Sequence, residues 1–322
     1  MSKIFIVGSI NMDLSVSTDI VPEGGMTVTG YGFMTNPGGK GANQAVAVAK
    51  CGGKAVMVGC VGNAFGKELI DTLSDYGVDA SFVASSQSVS SGIAVIVVSD
   101  GENRIILDRG ANAFVTPQMA QSAIADAEAG DYLVVQLEIP TETVVASLIA
   151  AKQRGMITVL NPAPAAKLPS DVWQYVDYFV PNQSEAEFYT GIYPSDESSA
   201  KKAAEVLGKN GVKNVVITMG SVGAIAFAGE ETVLAKAYKV NAIDTTAAGD
   251  TFVGVMATRL SEGATLEEAM TFANKASAVT VTRKGAQQAI PCRNEIVEAA
   301  VRKEKTNCAK ESNDKKCRRA AR

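Results

Sequence analysis

The sequence predicts an α/β fold: a doubly wound, mostly parallel sheet flanked by helices, with a small β-sheet lid. Two observations carry this prediction. Continuous Val, Ile and Leu runs alternate with amphipathic helical stretches from about residue 36 onward, as is typical of parallel strands covered on both faces. Two further segments have strand-like patterns and no helix. The ligands of such a sheet are expected beyond the carboxyl ends of its strands.

The main sheet is predicted from apolar runs that lie between helices. The N-terminal MSKIFIVGSINMD becomes polar after seven residues, which indicates a first strand rather than a secretory signal. The helical stretches GKELIDTLSDYG and TETVVASLIAAKQRG follow the first two of the later runs. Those runs occupy residues 54–62, 132–138, 157–164, 178–182 and 214–220.

The lid is predicted from residues 11–34 and 91–108, which have the pattern of β-hairpins. The second hairpin turns at Asp100-Gly101-Glu102-Asn103. A small sheet contributed by two separated segments can exclude water from a site or pair with its copy in a homodimer.

Length and charge predict one domain and a tail. The chain of 322 residues is long enough for one large α/β domain, which we assign to residues 1–302. Residues 303–322 carry eight basic and three acidic residues, and we expect a disordered, inert tail, with an interaction arm as the alternative. The other 302 residues hold 22 basic and 31 acidic residues, a net charge of −9, which argues against nucleic-acid binding.

Missing residue types and segments restrict the function further. No apolar run approaches the ~20 residues of a membrane span. Five cysteines without metal-type spacing and the lack of histidine argue against a disulfide framework or a zinc site, so we expect a cytoplasmic protein. Without histidine, any general base must be Asp, Glu, Lys, Tyr or Cys.

A glycine-rich loop opens the first long helix in NPGGKGANQAVAVAKCGG, residues 36–53. Its glycines allow a ligand close to the backbone, and a helix N-terminus offers free N–H groups. The stretch is not a Walker A loop, because Lys40 is followed by glycine. From these residues alone, a binding loop and an ordinary turn are equally compatible with the pattern.

The stretch IDTTAAGDTF, residues 243–252, is more informative. A strand-like segment leads through Ala247-Ala248-Gly249 into a helix that has Asp250 in its first turn. Helix capping would explain the acid but not three small residues before it. These residues clear space for a bulky anion, which indicates phosphate. An acid beside bound phosphate is unfavourable unless it has a task, such as taking a proton from an attacking hydroxyl.

Eight motifs in order resemble the PfkB carbohydrate kinase family, most closely its ribose kinases, from residue 3 to about residue 299. They are GSINMD, GGKGANQAVA, QLE, LNPAPA, PNQSEAE, ITMGSVGA, DTTAAGDTF and VTRKGAQ. The resemblance implies transfer of phosphate from ATP to O5 of D-ribose, giving D-ribose 5-phosphate. Asp250 would be the catalytic base, and the amides of Ala247, Ala248 and Gly249 would form an anion hole. A deoxyribokinase, another sugar or nucleoside kinase, and a non-catalytic sugar-binding regulator remain alternatives.

The resemblance also implies the binding residues. The sugar would contact Asn11, Asp13, Gly39, Lys40, Asn43, Glu138 and Asp250. The nucleotide would contact Asn182, Thr218, Gly220, Ser221, Gly223, Gly249 and Asn274. A solvated strand end for Asp13 and a helix-start role for Glu138, just before Pro140, are the alternatives.

Two metal sites follow from the same resemblance, and the lid segments 11–34 and 91–108 suggest a homodimer. Asn182 and Glu185 would organise Mg²⁺ through water, unless Glu185 is only an exposed helix charge. Potassium, the usual monovalent activator of the family, would contact Asp244, Thr246, Thr280, Arg283, Gly285 and Ala289. The lid would join two copies of the chain. One departure is Asn63, where relatives commonly have Asp.

Overall fold

The structure is a computed structural model that describes residues 2–100, 102–299 and 302–303. The strands are β1 (Lys3–Val7), β2 (Asn11–Ser17), β3 (Tyr31–Gly38), β4 (Lys54–Val61), β5 (Asp79–Ser85), β6 (Gly92–Ser99), β7 (Glu102–Asp108), β8 (Tyr132–Val135), β9 (Ile157–Leu160), β10 (Tyr178–Phe179), β11 (Asn214–Thr218), β12 (Gly223–Ala228), β13 (Glu231–Lys236), β14 (Tyr238–Lys239) and β15 (Arg302–Lys303). The α-helices are α1 (Lys40–Lys50), α2 (Gly66–Asp75), α3 (Pro117–Ala123), α4 (Thr141–Gln153), α5 (Gln183–Thr190), α6 (Glu197–Lys209), α7 (Ala248–Ser261), α8 (Leu266–Thr280) and α9 (Arg293–Glu298). Short 3₁₀ helices span Gly110–Phe114, Val172–Tyr175 and Gly220–Val222.

The main sheet has the predicted doubly wound architecture. Within the described residues its nine strands lie in the order β13-β12-β11-β10-β9-β8-β1-β4-β5. All neighbours from β11 to β5 are parallel, whereas β12 and β13 form an antiparallel edge. The prediction of a mostly parallel sheet is confirmed. The antiparallel edge was not foreseen.

The core lies on both faces of this sheet. Along β1, Ile4 and Ile6 belong to one apolar cluster and Phe5 and Val7 belong to the other. Helices α1, α7 and α8 cover the first face, and α3, α4 and α6 contribute to the second. Successive side chains of a strand point to opposite faces, so a strand covered on both sides needs an unbroken apolar run.

The strand order places a crevice between β1 and β8. From β1 the chain continues to β4 and β5 on one side, whereas from β8 it continues to β9, β10 and β11 on the other. The connections that leave the carboxyl ends of β1 and β8 therefore part in opposite directions, which opens a space between them. Ser9, Asn11 and Glu138 lie on these two connections.

The small sheet has the order β3-β2-β6-β7 and comes from the two segments predicted for the lid. Strands β2 and β3 are antiparallel, as are β6 and β7, and β2 pairs parallel to β6. Asn11 pairs with Gly38 on one side and with Gly92 on the other. The small sheet is thereby attached at the same crevice.

One predicted strand is largely absent. In the strand-like residues 237–246, only Tyr238–Lys239 forms a strand, which pairs with the backbone of Arg302–Lys303. The Asp244 carboxylate bonds nearby amides instead, so this backbone finds partners outside the sheet. Apart from that strand pairing, the predicted tail 303–322 lies outside the described residues. No helix in the described ranges has the length and apolar composition of a membrane span.

Candidate active site

The N-terminus of α7 has an open backbone. Ala247 precedes the helix at φ 58°, in the left-handed region that is uncommon for residues with a Cβ. No side chain caps this helix, and a Cβ built on Gly249 would meet no atom within 4 Å. The first amides of a helix lack intrahelical partners, so this terminus offers N–H groups to an anion, although the Ala248 amide also makes a long bond of 3.3 Å to the Thr245 carbonyl.

Asp250 lies in the first turn of α7, and its carboxylate is held by helix α1. The side chain is 8% exposed. Its Oδ2 accepts a hydrogen bond from Asn43 Nδ2 at 2.9 Å, and its Oδ1 accepts one from Gln44 Nε2 at 3.0 Å. These bonds lead to another helix and not to the terminus of α7, so capping does not account for this acid.

Two cavities meet at this helix terminus. The larger has a volume of about 790 Å³ and the smaller a volume of about 230 Å³. Ala248 and Gly249 line both of them, whereas Lys40 and Asp250 line only the smaller one. The open amides therefore lie between a space of nucleotide size and a polar chamber that contains the buried acid.

Glu138 is fixed at the crevice between β1 and β8. Its Oε2 accepts hydrogen bonds from Ser9 Oγ at 2.5 Å, Asn11 Nδ2 at 3.4 Å and the Lys40 amide at 3.3 Å. Asn112 holds Asn11 in turn, because its Nδ2 donates to Asn11 Oδ1 at 2.7 Å. The contacts of Glu138 reach the connection after β1 rather than its own helix start, which disfavours the helix-start alternative.

Asp13 lies on β2 and is buried at 9% exposure, which excludes the solvated strand end. A Cβ on Gly38 would lie 2.3 Å from Asp13 Oδ2. A Cβ on Gly39, which has φ 90°, would lie 2.7 Å from the Asn11 amide nitrogen. The two glycines therefore let the loop before α1 close against these polar groups.

Four carboxylates act on the Lys40 ammonium, those of Asp13, Glu138, Glu185 and Asp250. Burial alone would lower the pKa of Lys40, but the four carboxylates outweigh it and raise that pKa, so Lys40 is charged at neutral pH. Burial, and then Glu138 and Asp250, raises the pKa of Asp13 to about 7, although Lys40 acts in the opposite direction. Protonation of Asp13 therefore relieves the crowding of negative charge around Lys40.

The residues predicted to bind the nucleotide all line the larger cavity. They are Asn182, Thr218, Gly220, Ser221, Gly223, Gly249 and Asn274. A Cβ on Gly223 would lie 2.2 Å from the Ala235 carbonyl oxygen, so only glycine fits there. Asn274 Nδ2 donates to the same carbonyl at 2.8 Å, which holds that side chain at the cavity wall. Tyr193, Phe252 and Ser277 also line this cavity and were not predicted.

Asn182 and Glu185 form a reciprocal capping box at the start of α5. Asn182 Oδ1 accepts from the Glu185 amide, and Glu185 Oε2 accepts from the Asn182 amide, both at 2.8 Å. Both residues line the smaller cavity, and Glu185 is 8% exposed, so it is not an exposed helix charge. Burial raises the pKa of Glu185, although the Asn182 amide and Lys40 lower it.

The Asp244 carboxylate joins the segment before α7 to the loop after α8. Its Oδ1 accepts from the Thr246 amide and its Oδ2 from the Gly285 amide, both at 2.9 Å. Thr280 ends α8, and Arg283 and Ala289 lie in the loop that follows. The structure therefore brings Asp244, Thr246 and Gly285 into contact and places the other predicted potassium ligands on the adjoining segment.

Comparison with known proteins decides the family. The model of the pfkB family carbohydrate kinases matches residues 1–293. The chain belongs to this family. A ribokinase of Schizosaccharomyces pombe is 42% identical over 92% of this chain and 97% of its own length. A ribokinase of Haemophilus influenzae is 39% identical over 91% and 96%. The structure of Arabidopsis thaliana ribokinase complexed with ribose and ATP matches with a TM-score of 0.85 at 30% identity, over 92% of this chain and 98% of that one.

Several polar residues at the site of this carbohydrate kinase were not predicted. Ser9 and Asn112 hold Glu138 and Asn11, whereas Gln44 donates to Asp250 and bonds Gln136 and Asn161. Gln136 and Asn161 could have been identified from their positions, because they directly follow strands β8 and β9 and a parallel sheet binds its ligands at these strand ends.

Proposed function

We propose that this kinase transfers the γ-phosphoryl group of ATP to O5 of D-ribose, giving D-ribose 5-phosphate and ADP. One observation carries the proposal: the buried Asp250 lies at an open helix N-terminus where a nucleotide-sized cavity meets a smaller polar one. A base beside anion-binding amides is the arrangement that phosphoryl transfer to a hydroxyl requires. The names of the similar ribokinases support ribose as the sugar.

In the proposed reaction, Asp250 accepts the proton of the O5 hydroxyl while O5 attacks the γ-phosphorus. The new O5–P bond forms as the bond from the γ-phosphorus to the β,γ-bridging oxygen breaks, and that oxygen leaves with ADP. The amides of Ala247, Ala248 and Gly249 stabilise the charge on the transferring group. A carboxylate suffices as the base because the hydroxyl loses its proton only as the bond forms.

The sugar is assigned to Asn11, Asp13, Gly39, Lys40, Asn43 and Glu138. Of these residues Lys40 lines the smaller cavity, Asn43 donates to Asp250, and Glu138 accepts from the Lys40 amide. Carboxylates there accept hydrogen bonds from sugar hydroxyls, and Lys40 donates. Asn43 adds a specific observation, because its Oδ1 is buried without a hydrogen-bond partner. A buried acceptor of this kind is satisfied when a sugar hydroxyl donates to it.

ATP is assigned to the larger cavity and Mg²⁺ to the Asn182–Glu185 pair. Within the described ranges no cluster of three or more acidic or cysteine side chains could hold a metal ion by itself. One amide oxygen and one buried carboxylate suit Mg²⁺, which keeps waters and takes phosphate oxygens as ligands. When bound, Mg²⁺ would neutralise charge on the phosphate oxygens.

Potassium is assigned to the loop of Asp244, with Thr246, Thr280, Arg283, Gly285 and Ala289 as further ligands. One carboxylate and several backbone carbonyls are oxygen donors that suit such a cation, and Asp244 already joins both segments. Because Asp244 lies six residues before Asp250, the ion would set the shape of the anion hole. Exchanging potassium for a bulky organic cation should lower turnover, and an unchanged rate would count against this site.

The substrate is tested by a coupled ADP-release assay with ribose, 2-deoxyribose, fructose and adenosine. We expect the largest kcat/KM for ribose, because buried Asp13 loses a partner when a hydroxyl is missing. A larger value for 2-deoxyribose would make the chain a deoxyribokinase and leave the catalytic assignment intact. No phosphorylation of any of these substrates would support the non-catalytic regulator.

The base is tested with Asp250→Asn, which should lower kcat at least ~100-fold while ribose binding changes little. The variant is expected to fold, because Asn43 can rotate its amide and let its unpartnered Oδ1 accept from the new side chain. The exposed Asp126→Asn is the matched control. Retained turnover in Asp250→Asn would remove the assignment of the base.

We propose that the enzyme acts in the cytoplasm, where ATP is supplied.

We also propose that the small sheet is a lid that joins two copies of the chain. Phe33, Ile105 and Ile106 of this sheet are 65%, 61% and 70% exposed. Phe33 lies on edge strand β3 and the two isoleucines lie on the opposite edge strand β7, and such exposed apolar edges are expected to pair. Sedimentation should show a dimer, and Ile106→Lys should dissociate it. Val297→Lys, which also replaces an exposed apolar residue, is the control and should leave the dimer intact. A wild-type monomer at all concentrations would refute the dimer.

A further inference from the structure

Three amide side chains, two of them buried, form a hydrogen-bonded chain that reaches Asp250. Gln44 is on α1, and Gln136 and Asn161 directly follow the neighbouring strands β8 and β9. Both glutamines have 0% exposure. A buried amide lowers the stability of the fold unless its hydrogen bonds are made, so hydrophobic packing alone does not explain why amides occupy these positions.

The hydrogen bonds leave one orientation for each amide. The Val180 carbonyl can only accept, so Asn161 turns its Nδ2 toward it at 2.9 Å and its Oδ1 toward Gln44 Nε2 at 3.1 Å. The same Gln44 Nε2 donates to Asp250 Oδ1 at 3.0 Å. Gln44 Oε1 then accepts from Gln136 Nε2 at 2.6 Å. A reversed Gln44 amide would set oxygen against oxygen at both Asp250 and Asn161.

The backbone leaves room for this chain of amides. A Cβ on Gly8 would lie 2.0 Å from Gln136 Oε1, and a Cβ on Gly254 would lie 2.6 Å from the Gln44 carbonyl oxygen. Gln136 Oε1 is buried without a partner, so the network carries an uncompensated polar atom. A network that leaves a buried acceptor unpaired is not explained by stability alone, which points to a role beyond folding.

We propose that Gln44 is a positioning residue that fixes the rotation of the Asp250 carboxylate for proton abstraction, and that Gln136 acts through Gln44. Donors on two different oxygens of a carboxylate determine the torsion of its Cβ–Cγ bond. Asn43, the other donor, has an unpartnered Oδ1 and is able to turn toward the sugar. Gln44 cannot turn, because Gln136 and Asn161 hold both ends of its amide. This inference rests on the proposed function in taking Asp250 as the base.

The test is a double-mutant cycle on kcat with Gln44→Met and Gln136→Met. Gln44→Met should lower kcat about 10–100-fold with the KM values for ribose and ATP within about twofold, because a misplaced base slows chemistry and not binding. Gln136→Met should have a smaller effect. The double variant should match Gln44→Met, since Gln136 acts only through Gln44. Thr258→Val, a fully buried polar residue of α7 that bonds its own helix, is the matched control.

Gln44→Glu supplies a second readout should Gln44→Met fail to fold. It keeps the acceptor for Gln136 but puts an oxygen against Asp250, and such a pair takes up a proton as pH falls. The protonated form donates to Asp250 again, so the ratio of its kcat to the wild-type kcat should rise from pH 9 to pH 6. A purely structural role would give a ratio independent of pH.

Three results would overturn the proposal: an unchanged kcat in folded Gln44→Met, additive effects of the two methionine substitutions, or parallel changes in kcat and KM. Asp250→Asn, measured in the same series, separates this failure from that of the proposed function. If Asp250→Asn is inactive while both Gln44 variants keep the wild-type kcat, the positioning role of Gln44 is refuted and Asp250 remains the proposed base. If Asp250→Asn is active, the base assignment falls with it.

Discussion

Asp13→Asn should stabilise the folded protein at neutral pH while it weakens sugar binding. Burial, followed by Glu138 and Asp250, raises the pKa of Asp13 from 3.8 to about 7. Between these two values the folded protein binds more protons than the unfolded chain, so Asp13 makes stability fall as pH rises from about 4 to about 7. At about 1.36 kcal/mol for each pKa unit, the shift in the pKa of Asp13 lowers the free energy of unfolding by about 4 kcal/mol at pH 8.

Asparagine keeps the shape of Asp13 and never ionises, so the variant escapes this penalty. At about 2.1 cal/mol/K per residue, unfolding the 302 residues of the predicted domain has an entropy of about 0.6 kcal/mol/K, and 4 kcal/mol becomes about 6 °C in Tm. At pH 5 the penalty is about 1.7 kcal/mol, so the two proteins should differ by about 3 °C.

Scanning calorimetry of both proteins from pH 5 to pH 8 measures this difference, and titration calorimetry with ribose measures the loss of binding. The exposed Asp126→Asn is the control and should leave Tm unchanged at every pH. A Tm difference that does not grow with pH, or an Asp13→Asn protein less stable than wild type at pH 8, would refute the reasoning.

Three further predictions concern the scaffold. Gly254→Ala should lower the free energy of unfolding in urea by about 1–3 kcal/mol and also lower kcat, because the new Cβ would push Gln44 and α1 away from α7. An unchanged kcat would show that this packing does not affect catalysis. Phe179→Ala should cost about 3–5 kcal/mol in the same assay, since Phe179 is fully buried in edge-to-face contact with two aromatic rings; a loss below 1 kcal/mol would contradict this. Burial opposes ionisation of Asp177, yet hydrogen bonds from Lys152 and other donors lower the pKa of Asp177 below its usual value. The ionised Asp177 therefore stabilises the fold fully above pH 3.8, and this stabilisation is lost as pH falls further. Asp177→Asn should therefore lower the urea midpoint at pH 7 more than at pH 3, and an equal loss at both would count against this ion pairing.

The parts of the fold that were predictable have local causes. Residues 4–7 are an unbroken apolar run because each strand of the main sheet is covered on both faces. The lid segments were recognisable because strand-like residues follow one another there without a helix between them. Asp250 was singled out because three small residues directly precede it.

The amides behind Asp250 have no such local cause. Gln44 is separated from Gln136, Asn161 and Asp250 by 92, 117 and 206 residues, so only the folded chain brings them together. In the sequence, Gln44 is one polar residue within an apolar helix. The failure at residues 237–246 has a similar origin, because the Asp244 carboxylate takes partners from a loop some 40 residues away.

The lack of histidine is compatible with catalysis because this site divides its tasks among separate elements. Ala248 and Gly249 at the start of α7 line both cavities, Glu138 is held at the β1–β8 crevice, and neutral amides hold Asp250. A base that only needs to be oriented can be a carboxylate, since phosphoryl transfer depends chiefly on position and on charge stabilisation. Substitutions at Asn274, Asp13 and Gln44 should therefore act separately, on the KM for ATP, the KM for ribose and kcat.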